Sequence, residues 1–275
     1  MLALLPILNM YAQMEKSERY TRGWNKLQEI DGEAGENVVN SLENISPDLA
    51  RFIIEYSFGD VYSLNSLDNK SKEIAAVSSL IAQGAIPQLK VHLNGALNSG
   101  CSITEVKEVI LQMSVYTGFP RNINAMNAFR EVLTERKSKG INDLEGNIPN
   151  QEPDIINRYL KGAEALSHLD SLQAQRMEEA YRDFSPELVQ FTLEYAFADI
   201  HSRKGLDRRY RQIATVAALA TLGNASSQLK FHIGGALNVG VTEDEIKEIM
   251  LLMTVYAGFP AAINGMHALK EVAGE

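Results

Sequence analysis

Cysteine is nearly absent from this 275-residue chain, where Cys101 stands alone. A single thiol excludes an intrachain disulfide and any Cys-pair redox motif. Positive charge is thin and scattered. Lys and Arg number 26 against 35 Asp and Glu, a formal net charge of −9 with no dense basic cluster. That balance argues against a groove that binds nucleic acid by neutralising phosphates. Beyond the N-terminus no apolar run is long enough to span a bilayer, so no membrane partner is expected. The chain carries no phosphate-cradling glycine loop, no G-x-S-x-G elbow and no H-E-x-x-H. His92 and His232 have no close His or Cys neighbour in sequence, and no metal site is expected.

What the chain does contain, it contains twice. Residues 88–132 and 228–272 align without a gap at an offset of 140, and 25 of their 45 positions are identical. Upstream the offset is 139, so that EYSFGDVYS from Glu55 echoes EYAFADIHS from Glu194. The period is far longer than the ~20–50 residues of solenoid repeats, which makes this the duplication of a domain. Any site should therefore occur twice or lie where the copies meet. Residues 15–136 and 155–275 are the expected domains, joined by a polar linker over 137–154. Residues 1–14 stand apart. LALLPIL and then NMYAQ fit the core and cleavage end of a secretory signal, with Ala12 before the cut, but no basic residue precedes Lys16. An exported or periplasmic protein and a cytoplasmic one with a short leader both remain open.

Apolar residues recur at three- and four-residue steps, and strand alternation is scarce, so the class is all-α. Helices are expected over 16–30, 48–64, 70–82, Pro87–Ser99, from Ser102 to Tyr116, and after the Gly118-Phe-Pro120 break to Arg136. In the second segment Leu49, Phe52, Ile53, Tyr56 and Val61 share a side. Ser102…Glu105 and Thr242…Glu245 have capping-box spacing, Gly100 and Gly240 suit helix ends, and Ser226 or Ser227 suits an N-cap.

Only one ionisable side chain recurs in the middle of an apolar helix: His92, repeated as His232. Gln88 and Gln228 lie one turn earlier on the same face. An imidazole so placed can transfer a proton near neutral pH. It can equally be a core histidine satisfied by a backbone carbonyl. Glu55 and Glu194, with Asp60 and Asp199, sit in aromatic segments that would raise a carboxyl pKa, although solvated faces or caps explain them more simply. Lys72 and Arg211 match, but Glu73 faces Gln212, so a catalytic Glu73 would serve one copy only. Tyr116 and Tyr256 could present hydroxyls to a site. The GFP corners beside them are explained as readily by helix geometry.

The runs RYTRGWNKLQEIDGEAGENV, FGDVYSLNSLDNKSKEIAAVSSLIAQG, QLKVHLNGALNSG, EVKEVILQMSVYTGFP and INAM resemble the γ-carboxymuconolactone decarboxylase family. HSRKGLDRRYRQIATVAALATLG, QLKFHIGGALNVG, EIKEIMLLMTVYAGFP and INGM repeat the resemblance, which spans residues 18–133 and about 158–273. The wider superfamily includes AhpD-like alkylhydroperoxidases, with a Cys-x-x-Cys pair, a following histidine and an upstream glutamate. That histidine falls on His92 and His232, and the glutamate on Glu73 and on Gln212. The cysteine positions fall on Ala85 and Gln88 and on Ala225 and Gln228. Without those thiols, peroxidase chemistry of that type is excluded, because the thiolate is the reacting group. Phe58, Tyr62, Phe197 and His201 replace tryptophans common in the decarboxylases, which reshapes the pocket.

The resemblance implies two tandem AhpD-like helical domains. It also implies cofactor-free decarboxylation, or related proton transfer, on a small carboxylated lactone or cyclic acid. On that reading His92, His232 and Glu73 are catalytic. Gln88, Gln228, Lys72, Arg211, Tyr116 and Tyr256 bind the substrate. A homo-oligomer follows from the same resemblance, with a trimer of two-domain chains as one form. The alternative is a non-catalytic binding or scaffold protein that keeps the family's helical shell.

Overall fold

A computed structural model describes residues 17–149 and 157–274, so the 1–14 leader lies outside the described residues. Within them the chain folds into helices and no strands. Copy one comprises α1 (Glu18–Ile30), α2 (Glu33–Leu42), α3 (Pro47–Phe52), π1 (Ile53–Val61), α4 (Asn69–Gln83), α5 (Ile86–Asn98), α6 (Ile103–Thr117) and α7 (Phe119–Ser138). Copy two repeats the order as α8 (Arg158–Ser167), α9 (Gln173–Tyr181), α10 (Pro186–Phe191), π2 (Thr192–His201), α11 (Arg208–Leu222), α12 (Ser226–Asn238), α13 (Glu243–Tyr256) and α14 (Phe259–Ala273).

Local chemistry sets most boundaries. Asp68 starts α4 by accepting from the Ser71 amide at 2.7 Å, and Gly84 ends it at φ +73°, where a side chain would be strained. Both expected capping boxes form, Ser102 with Glu105 and Thr242 with Glu245. Gly118 and Gly258 turn the chain at φ +79° and +87°, and Pro120 and Pro260 then occupy the first turns of α7 and α14. Neither serine expected to cap α12 does so. Ala225 holds the cap position, and both serines lie inside the helix.

The segment expected as one α-helix over 48–64 changes winding midway. From Ile53 its amides bond five residues back, as in Tyr62 N to Ser57 O at 2.8 Å. The wider turn shifts which residues share a face. Ile54, Phe58, Val61 and Tyr62 are buried, whereas Leu49 and Phe52 are about half exposed, at 48% and 49%. Close packing accompanies this winding. A Cβ on Gly23 of α1 would fall 1.9 Å from the Ile54 carbonyl oxygen, and one on Gly162 of α8 would fall 1.9 Å from that of Leu193.

At the centre α4 packs on α11, each buried along nearly its whole length. Ala75, Ala214, Ala217 and Ala218 belong to one hydrophobic core that runs through both copies, and the Thr221 hydroxyl donates to that of Ser79 across the seam at 2.7 Å. Among the described residues three ion pairs cross this seam: Arg203 of copy two meets Glu108 of copy one at 2.8 Å, and two fully buried pairs lie reciprocally. Lys72 of copy one meets Glu248 of copy two at 3.1 Å, and Arg211 of copy two meets Glu108 of copy one at 2.8 Å. The described part of the linker is tied down. The Leu144 and Glu145 carbonyls accept from the Ile103 and Thr104 amides that open α6, and Asp143 pairs with Arg136 at 2.7 Å.

Candidate active site

His92 lies on α5 with its ring against α4, and only 7% of the residue is exposed. Its Nδ1 is 3.1 Å from Oε2 of Glu73, and its Nε2 is 3.0 Å from the hydroxyl of Tyr256. Tyr256 comes from α13 of the other copy. The Tyr62 hydroxyl donates to Oε1 of Glu73 at 2.7 Å and lies 2.5 Å from the Tyr256 hydroxyl. These bonds close a ring. With Glu73 ionised, Tyr62 gives its one proton to that carboxylate, and Tyr256 then donates to Tyr62. The Tyr256 oxygen then accepts from Nε2–H of His92, while Nδ1–H donates to Glu73. Counted this way, both ring nitrogens carry hydrogen and the ring is an imidazolium.

Electrostatics agree with the count. Burial alone would lower the His92 pKa, but the Glu73 and Asp31 carboxylates override it and raise the value to about 9. Asp31, at the end of α1, is itself pushed up to about 7 by burial, the His92 charge opposing and Glu73 assisting. Burial also keeps both phenols protonated, moving Tyr62 and Tyr256 well above their ordinary range. One donor atom each from Asp31, Glu73 and His92 lies within 4.8 Å of the others, close enough for a divalent cation to bridge. The count above places a proton on Nδ1, which such a cation would have to displace.

A cavity of about 470 Å³ opens beside this ring. Its walls are mostly apolar, with Leu27, Ile53, Phe58, Leu80 and Val255 among them. His92, Asp31 and Tyr256 lie on its wall with Gln88, which is solvent-exposed. That size suits a small ligand held by few polar groups.

Copy two builds the matching place differently. His232 Nδ1 donates to the Gln212 side-chain oxygen at 2.9 Å, and among the described residues no carboxylate pairs with it. The hydroxyl of Tyr116, from copy one, lies 3.3 Å from Nε2 of His232 and 2.8 Å from Nε2 of His201. His201 stands where copy one has Tyr62. Burial lowers His232 to about 3 and drives His201 well below its ordinary value. Both rings are therefore neutral at pH 7. Asp170, the counterpart of Asp31, pairs with Arg176 at 2.6 Å.

Several expected site residues lie elsewhere. Lys72 does not line the cavity. It is 2% exposed, and its ammonium meets Glu248 and the backbone carbonyls of Tyr62 and Leu64. Arg211, 1% exposed, is engaged by Glu108, the Gln112 side chain and the Arg203 carbonyl. A substrate-anchoring role for either is corrected by this placement, since their charges are already matched inside the seam. Gln228 is exposed at the start of α12. Glu55 and Glu194, with Asp60 and Asp199, face the arginines of α1 and α8, as in Arg19–Asp60 and Arg158–Asp199. Sequence reasoning missed Asp31, and it put Tyr62 and His201 at the pocket without giving them a role. It also missed that each copy's tyrosine completes the other copy's site. The departures at Tyr62 and His201 from the tryptophan pattern were the available signal.

The two copies thus define a class of protein: a duplicated helical unit with a buried histidine per copy and a tyrosine exchanged across the seam. The chain belongs to the carboxymuconolactone decarboxylase family, whose model matches residues 47–131 and 186–271. It is 36% identical over 116 residues to the 4-carboxymuconolactone decarboxylase of Acinetobacter baylyi, covering 42% of this chain and 86% of that protein. It is 32% identical over 108 residues to the nitrosuccinic acid decarboxylase of Metarhizium robertsii, covering 38% and 76%. Peroxisomal protein 2 of Schizosaccharomyces pombe is 30% identical over 101 residues, covering 35% and 47%.

Proposed function

We propose that the chain is a cofactor-free carboxy-lyase acting on a small carboxylated lactone or cyclic acid, with catalysis confined to copy one. The observation that carries this reading is the closed ring of hydrogen bonds that keeps a proton on His92 beside an apolar cavity. The family and the two decarboxylase relatives support decarboxylase-like chemistry, and the cavity suits a compact acid. The bond from the carboxyl carbon to the substrate breaks, and its electron pair moves into a conjugated carbonyl. Carbon dioxide leaves, and the resulting enolate takes one proton at carbon. The apolar walls destabilise the departing carboxylate relative to neutral CO2. Tyr256, turning its hydroxyl from Tyr62 to the substrate, gives its proton to the enolate carbon and takes the His92 Nε2 proton in its place. Glu73 holds the ring, and Gln88 orients the substrate.

Copy two has a neutral histidine and no carboxylate behind it. Its role is to carry Tyr256 into the working site. The alternative of a purely non-catalytic binder would fit a molecule in which both copies looked like copy two.

The test is a screen of lactone and muconate-type acids for CO2 release with purified chain. On an acid that reacts, H92Q should lower kcat by ~10²–10⁴-fold, the usual worth of a positioned acid. H232Q should leave it near wild type. Equal losses in the two variants, or full activity in H92Q, would overturn the assignment.

A further inference from the structure

Every decarboxylation consumes one proton, which must reach His92 while the substrate fills the cavity. Asp31 is placed to bring it. This residue borders two spaces at once, the apolar cavity and a separate polar cleft of about 300 Å³ between α2, α5 and α7. Among the described residues its buried Oδ1 has no hydrogen-bond partner, and it lies 3.8 Å from Nδ1 of His92. An unpartnered buried carboxyl oxygen costs free energy and calls for an explanation.

The cleft supplies no partner either. Its cations are engaged elsewhere, Lys90 with Glu131, Lys139 with Glu33 and Glu135, and Arg136 with Asp143. On the cavity side the charged groups facing Asp31 are Glu73 and His92. Gly95, one turn after His92, keeps the intervening space open. A Cβ there would lie 2.5 Å from Oε2 of Glu73 and 2.6 Å from Oδ1 of Asp31.

Resting on the proposed decarboxylation at His92, we propose that Asp31 is a relay residue that returns a proton from the polar cleft to His92 after each turnover. The carboxyl takes a proton from water in the cleft and passes it across the gap above Gly95 to the Glu73 carboxylate, from which it travels through the Tyr62 and Tyr256 hydroxyls to the vacated Nε2. His92, having given up its Nε2 proton, is restored to the imidazolium. No electrons move, and the single proton consumed per CO2 released comes from solvent. A carboxyl titrating near neutral pH suits the task, and burial holds Asp31 at about 7.

The test needs no substrate in its first arm. Nitrogen-15 NMR of labelled histidines reads exchange of the His92 ring N–H with water. D31N should slow that exchange at least ~10-fold, since proton transfer by a positioned group is worth that much or more, while His232 stays unchanged. D31E should restore it. A34F, which fills the cleft and leaves Asp31, Glu73 and His92 intact, should also slow it and guards against a D31N that does not fold. The second arm is turnover, where D31A should lower kcat with KM unchanged and imidazole buffer should recover it. Unaltered exchange in D31N and in A34F would overturn the relay, as would a D31A defect in KM that buffer cannot rescue. Slowed exchange in a protein that decarboxylates no acid would sink the proposed function and leave the relay standing.

Discussion

Glu73 and Gln212 differ by one carboxylate, and that difference sets the charge of the histidine behind each. Beside Glu73 and Asp31, His92 is raised from 6.5 to about 9, whereas His232 against a neutral amide falls to about 3. These opposite shifts couple to stability with opposite sign. A folded-state pKa raised above the unfolded one means that folding holds the proton more tightly. The His92 contribution is therefore full below pH 6.5 and lost as pH rises towards 9. Asp31, raised to about 7, adds a loss in the same direction at lower pH. His232 behaves conversely, its contribution being full above pH 6.5 and lost as pH falls towards 3. Urea denaturation at pH 6.5 and pH 9 should show the wild type losing stability across that interval and H92Q losing distinctly less. An H92Q curve as steep as wild type would mean that His92 is not the group holding the extra proton.

At the scale of elements, periodicity made the long helices legible, because α4, α5, α6 and α7 bury a recurring face or are buried all round. The capping boxes marked two starts to the residue. The short helices α2 and α9, of 10 and 9 residues, are amphipathic, but so brief a stripe does not by itself mark a helix in the sequence. The π-winding was illegible for a different reason. Apolar spacing reports that a face exists, and a change from four-back to five-back bonding leaves composition untouched. Its packing trace is glycine. Gly23 and Gly162 sit where α1 and α8 touch the π-helix carbonyls, and no side chain fits there. Because the obstacle is backbone, it cannot swing aside. Gly23→Ala should destabilise the fold by roughly 1–3 kcal/mol, the usual cost of overpacking, although alanine is the better helix former. Thermal melting would read this, and an alanine variant as stable as wild type would show that α1 can lift off π1 without cost.

For the whole molecule, duplication has produced a covalent pseudo-dimer whose halves no longer present the same side chains to their histidines. The exchange of Tyr256 and Tyr116 could not be read from the sequence, because a repeat says that two sites exist and not which copy supplies each wall. The seam that delivers Tyr256 is held by the two reciprocal buried ion pairs. Tyr256 lies two turns beyond Glu248 on α13, so the pair and the site share a rigid element. A buried pair adds little over well-packed apolar groups, but removing one partner strands the other's charge. E248Q leaves the Lys72 ammonium in the seam without its paired carboxylate, held by the Tyr62 and Leu64 carbonyls, and should cost about 3–5 kcal/mol. The K72M/E248M double variant removes both charges and should recover most of that loss. If the seam also positions Tyr256, E248Q should lower turnover beyond what its unfolded fraction explains, and the double variant should restore it. Measuring stability and turnover on both variants decides the matter. A single variant that is destabilised but fully active per folded molecule would show that the ion pair holds the copies together without aiming the tyrosine.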